Sequence, residues 1–136
     1  MDIYQDSERL YQVLRRLFTQ VESQNPGAGD AISKARLILR LRTSDPITEV
    51  TINGRRNPPQ IIYGTSPLRP DLEVDMSARA LHAILLAELP LGKAVSNRQV
   101  KVRGPVWKSF VLEGIFQSGQ AIYPQILAEI ENDGIH

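Results

Sequence analysis

The chain's 136 residues (15.2 kDa) read as one domain, able to bury roughly 68% of the surface its unfolded form exposes, so no disulfide or structural metal is needed to hold a core. Cysteine is absent and histidine occurs twice, which excludes a disulfide framework, a thiolate zinc site, a cysteine nucleophile and most histidine-rich metal sites. A formal net charge of +1, with 42% hydrophobic and 23% charged residues, is an ordinary globular balance that does not by itself imply nucleic acid or an anionic membrane as partner.

The first predicted element is an amphipathic helix over residues 2–23. Ile3, Leu10, Leu14, Leu17 and Val21 form one seam, flanked by Tyr4, Tyr11 and Phe18. At helical spacing they fall within about 140° of arc, the width of a stripe that faces a core. That stripe either lies on its own domain or packs against a second chain, since the spacing also suits helix pairs. Residues 25–29, with Pro26, Gly27 and Gly29, stop the helix in a loop. Strands follow. In residues 36–42, Leu37, Leu39 and Leu41 face one way and Arg36, Arg40 and Arg42 the other, with Ile38 the exception. Residues 48–52 form the next strand and run into Asn53-Gly54, a hairpin-turn signal that residues 55–59 extend before a short strand at 60–63. Residues 72–76 and 100–103 alternate without a flaw, so Leu72, Val74, Met76, Val100 and Val102 should be buried, and Glu73, Asp75, Lys101 and Arg103 wet. Ser77 is positioned to cap a helix over residues 78–89 that stops at Pro90. Leu81, Ile84, Leu85, Leu86 and Leu89 span about 200° of that helix, and alanines fill most of the rest, so it should be covered nearly all round. A further apolar helix should begin near Pro105 and carry Trp107, Phe110 and Phe116. Ser118-Gly119 should break it, and a final helix with Ile122, Ile126 and Ile130 should carry Pro124 in its first turn. The fold class is α+β: a mostly antiparallel five-stranded sheet with one face covered by helices, plus the long N-terminal amphipathic helix.

Chemistry-bearing constellations are weak. Arg36, Arg40, Arg42, Lys101 and Arg103 could share a face as a nucleic-acid platform, but Glu49, Glu73 and Asp75 occupy the same kind of face. Cross-strand pairing accounts for them, and no aromatic residues interleave to stack bases. Glu73 and Asp75 read as surface acids, and His82 as a satisfied, partly buried histidine without an orienting partner. His136 is terminal. Gly92-Lys93 lacks the upstream glycine of a phosphate loop, because position 87 is alanine. No catalytic set, metal site or cofactor site emerges, so an enzyme is not expected. The first six residues are not those of a signal peptide, and residues 81–91 are interrupted by His82, Glu88 and Pro90, short of a membrane span. A cytoplasmic protein without stable membrane insertion is the expectation.

The sequence of residues 72–77, the apolar helix, Gly92-Lys93-Ala94, residues 100–104 and residues 112–116 resembles the sterol carrier protein type two domain, and the hairpin at Asn53-Gly54 suits that family. The resemblance covers about residues 30–130, with residues 1–24 as a helical extension of a single domain 1–136. It departs at Asn97-Arg98-Gln99 before the last strand, at Pro105, and in the long first helix, which is placed to cover or alter a tunnel mouth. It implies a non-catalytic module holding fatty acyl chains, acyl-CoA or sterol-like lipids in an apolar tunnel between sheet and helices. Leu81, Leu85, Leu89, Val102, Trp107, Phe110 and Phe116 are the expected lining. The alternative is a homodimeric accessory protein, paired through the N-terminal helix, with a solid core and no ligand.

Overall fold

The computed structural model describes residues 6–105 and 110–133, with side chains at 6–105 and 111–131. The chain runs α1 (Ser7–Gln24), α2 (Asp30–Ala35), β1 (Ile38–Ser44), β2 (Thr48–Asn53), β3 (Gln60–Tyr63), β4 (Leu72–Ser77), α3 (Ala78–Leu85), α4 (Leu91–Ser96), β5 (Val100–Arg103) and α5 (Phe110–Asp133). The sheet order is β3-β2-β1-β4-β5. Neighbours are antiparallel except the central pair, β1 and β4, because the chain steps outward through β2 and β3 and then returns to the other side of β1. The result is the expected α+β arrangement with a mostly antiparallel sheet.

Alternation in each strand becomes continuous rows across the sheet. Tyr63, Val50, Leu41, Val74 and Val102 lie in one register row on the inner face, and Ile61, Ile52, Leu39 and Leu72 in the next. The outer face carries Glu49, Arg42, Asp75 and Lys101 in one row and Thr51, Arg40, Glu73 and Arg103 in another. Opposite charges meet there: Arg42 reaches Asp75 at 2.7 Å, and Arg103 reaches Asp75 at 2.6 Å and Glu73 at 2.9 Å. The outer face is not wet throughout. Arg40 donates to the carbonyls of Ser66 and Leu68, so the segment 64–71 is drawn over that face, where Thr51 and Ile38 are buried. Ile38, the exception to alternation in β1, is apolar because this segment covers it.

The helices cover the inner face. Asp6 caps α1 by accepting from the Arg9 N–H at 2.8 Å. The seam Leu10, Val13, Leu14 and Leu17 is buried within the same chain, against the core and α5. A second chain is therefore not what covers the stripe. Tyr11 ties α1 to β2 by accepting from the Glu49 N–H at 2.9 Å. Phe18 meets Tyr63 edge-on at 6.4 Å, and Arg15 lies 4.4 Å from the centre of that tyrosine ring.

Two helix boundaries differ from expectation. The helix from residue 78 ends at Leu85, not at Leu89. Ala87 adopts φ +61°, with its N–H bonded to the Ile84 carbonyl and the Glu88 N–H to the Ala83 carbonyl. This is a Schellman closure with alanine in the place usually held by glycine. Second, α5 runs unbroken through Ser118-Gly119 and Pro124, where two helices were expected. Gly119 serves a close approach: a Cβ there would stand 2.9 Å from Leu85 Cδ2 of α3. Gln120 fastens the same contact by donating to the Ile84 carbonyl at 2.9 Å. Packing against α3 and α1 compensates for a glycine penalty of about 1 kcal/mol. Pro124 is exposed, so a local gap in the hydrogen-bond ladder faces solvent.

Candidate functional site: an apolar cavity beneath the helices

The inner sheet face and the helical layer do not close completely on each other. Between them lies a cavity of about 150 Å³. Its floor is Leu39 and Leu41 of β1, Ile52 of β2, Ile61 of β3 and Val74 of β4, brought together by the register rows above. Its roof comes from three helices. From α1 come Leu14, Leu17, Phe18 and Val21, at the i, i+3, i+4, i+7 spacing of one helical face. From α5 come Leu112, Ile115, Phe116 and Gly119 at the same spacing, and from α3 Leu81 and Leu85, one turn apart. Ile32 of α2 closes one side. Every buried side chain in this lining is apolar.

The polar lining residues are gathered at one side. Glu22, Asn25, Asp30 and Asn57 are exposed and share that rim with Pro26, Ala28, Gly29, Pro58 and Pro59, and the half-buried Ser118 adjoins it through Asn25. Two loops meet there, since a Cβ on Gly29 would stand 3.0 Å from Pro59 Cγ. Asn25 donates to Ser118 Oγ at 3.5 Å, a weak tie between the end of α1 and the middle of α5. The cavity is thus an apolar pocket with a polar mouth, and among the described residues its wall holds no nucleophile paired with a base.

The expected lining residues divide. Leu81, Leu85 and Phe116 surround the cavity. Leu89 and Val102 are half-buried against the core but stand outside the lining. Leu89 misses because the left-handed turn at Ala87 takes the chain off the helical path; Val102 misses because it belongs to edge strand β5. Trp107 and the Phe110 side chain lie outside the described residues. Unforeseen in the lining were the α1 residues, all five sheet residues, Leu112 and Ile115 of α5, and Ile32 on a six-residue helix. Each was legible as apolar, but only the tertiary arrangement makes them converge.

Other polar groups are accounted for away from the cavity. His82 Nδ1 and the Tyr123 hydroxyl are 2.6 Å apart, joining α3 to α5, and burial holds the imidazole below its ordinary pKa. Burial likewise pushes the Tyr63 phenol up. Among the described residues, no group of three or more His, Asp or Glu side chains is placed to hold a metal ion, and no helix is long and apolar enough to cross a membrane.

No family model and no curated protein matches the chain. Solved structures do. Sterol carrier protein 2 from Yarrowia lipolytica, in its apo form, aligns with a TM-score of 0.62 and 20% identity, covering 88% of this chain and 95% of that one. Sterol carrier protein domain 2 of Helicoverpa armigera aligns with a TM-score of 0.62 and 16% identity, over 80% of this chain and 88% of that one. Sterol carrier protein 2 from Aedes aegypti, in complex with the fatty acid palmitate, aligns with a TM-score of 0.53 and 18% identity, over 78% of this chain and 92% of that one. The sheet order with its single parallel pair, the helical layer on one face and these alignments together give the chain a sterol carrier protein 2-like fold.

Proposed function

We propose that this chain is a non-catalytic lipid-binding module that takes an acyl chain or a sterol-like body into the cavity beneath its helices. One observation carries the reading: a space lined inside by apolar side chains, with its polar groups confined to one mouth. Palmitate in the Aedes aegypti neighbour supports it. In this reading Leu81, Leu85 and Phe116 supply shape and apolar area, and α1 is part of the binding unit because it forms much of the roof. The lipid is held by burial, at about 0.8 kcal/mol per methylene. At about 150 Å³ the cavity is smaller than the roughly 300–1,000 Å³ of ordinary ligand pockets. A long chain must therefore widen it, and the place to widen is the mouth between residues 25–29 and 57–59.

Extraction of natively purified protein with organic solvent tests the proposal. Lipid should be released in near-stoichiometric amount, and the delipidated protein should take up a fluorescent acyl probe. A clean extract from a protein that also refuses the probe refutes lipid binding.

A further inference from the structure

Among the described residues the cavity's exposed polar lining lies at its mouth, and the charged groups there have one sign. A lipid's polar group cannot be buried unpaired among Leu39, Val74, Leu81 and Phe116, so it must sit at the mouth. Among the described residues, the charged side chains in the lining are Glu22 and Asp30, both acidic, with no Lys, Arg or His beside them. Glu22 lies in the last turn of α1, whose carbonyl end carries partial negative charge and has no basic residue to offset it. Of the described cations in this region, Arg15 is held over the Tyr63 ring, 4.4 Å from its centre and outside the lining. Arg55 is engaged with Asp71 at 3.6 Å and with the Arg36 carbonyl, while Lys34 and Arg56 lie outside the lining.

Resting on the lipid-binding reading, we propose that the mouth selects lipids whose polar end is an uncharged hydrogen-bond donor, such as a long-chain alcohol or a sterol hydroxyl, over those ending in a carboxylate or phosphate. A hydroxyl can donate to the Glu22 or Asp30 carboxylate or to the amide oxygen of Asn57. A carboxylate brought to the same place meets two like charges, with no cation among the described lining residues to offset them. The ligand class thereby differs from the palmitate of the Aedes aegypti neighbour.

Matched chains separate the end group from the tail. Dodecanol and dodecanoate would each compete for a bound neutral acyl fluorophore at neutral pH and low ionic strength, where charge effects are least screened. Wild-type protein should bind dodecanol more tightly than dodecanoate by about tenfold, given two like charges at a watery mouth. In the Glu22→Gln/Asp30→Asn double variant the gap should shrink severalfold, through a gain by dodecanoate and a smaller loss by dodecanol, whose hydroxyl then donates to neutral amide oxygens. Both positions are exposed, so folding should be preserved, and an unchanged urea midpoint checks that independently of binding. Equal affinities in wild type, or a gap the double variant leaves intact, would overturn the headgroup selection while lipid binding stands. Failure of both chains to displace the fluorophore, or of the fluorophore to bind, would overturn lipid binding and this selection with it.

Discussion

Leu85→Ala and Leu10→Ala should cost the protein different amounts, although both delete the same atoms from a buried helical leucine. Leu10 is 0% exposed and packed on all sides between α1 and its neighbours, away from the cavity. Its truncation should fall in the upper part of the range for Leu→Ala in solid cores, about 4 kcal/mol, because a new void opens among atoms that cannot collapse. Leu85 is 3% exposed, yet one side of it borders the cavity and the other meets Gly119. Fewer contacts are lost, and the existing space only grows, so the cost should be near the lower end, about 2 kcal/mol. For a domain of this size the gap corresponds to roughly 6–8 °C between the two melting temperatures. Equilibrium urea unfolding of delipidated wild type and both variants, with equal m-values as the check on two-state behaviour, reads the difference directly. Equal penalties would mean that Leu85 is enclosed on every side, and the reasoning from a hollow interior would fail.

Ala87→Gly should stabilise the protein by about 1 kcal/mol, since Ala87 is exposed at φ +61° and loses no packing; an unchanged urea midpoint would show that the left-handed turn carries no strain. His82 has a folded-state pKa below its unfolded value because of burial, so the unfolded state takes up the proton first. Its contribution is complete above the unfolded value of about 6.5 and declines as pH falls through that region toward the folded pKa. His82→Gln should flatten that part of the stability–pH curve, and Tyr123→Phe, which removes a 2.6 Å hydrogen bond, should cost about 1 kcal/mol at neutral pH. Asp75 is held below the ordinary carboxylate range, chiefly by its hydrogen bond with Arg42. Its contribution is present above the unfolded pKa of about 3.9 and is lost as pH falls through the folded one; Asp75→Asn should reduce acid sensitivity there. The neutral-pH cost of Asp75→Asn should stay under about 1 kcal/mol, because the cluster is partly solvated.

What the sequence disclosed is what is local. Strand alternation has period two, so the inner set of Leu72, Val74, Met76 and Val100 and the charged outer set are legible before any pairing is known. Even the ion pairs on the outer face follow from alternation plus any in-register sheet. What stayed hidden depends on partners distant in the chain. α2 has six residues and one buried side chain, Ile32, too little for a helical period to register. Nothing local in residues 64–71 announces that Arg40 will hold that segment over the outer face. Ser118-Gly119 carries a strong local break signal, and it yields because the missing Cβ admits Leu85 of α3. The cavity lining shows the same division. Leu81, Leu85 and Phe116 could be chosen by helical position alone, whereas Leu89 was misplaced by a single left-handed residue. The α1 stripe was visible as apolar, but its role as roof depends on where the helix lies.

The roof of the cavity is unequal in strength, and that inequality decides how a larger ligand can enter. On the α3–α5 side, the Gly119–Leu85 approach, the Gln120 bond to the Ile84 carbonyl and the His82–Tyr123 pair would all have to break together. At the mouth, closure comes from exposed loop residues, the touch of Gly29 on Pro59 and the 3.5 Å tie from Asn25 to Ser118. Opening the first exposes buried apolar surface; opening the second exposes little that is not already wet. If the protein binds lipid as proposed, an entering chain would meet least resistance at the loops, tail first. Its polar end then remains beside Glu22, Asp30 and Asn57, the groups on which the proposed selection depends.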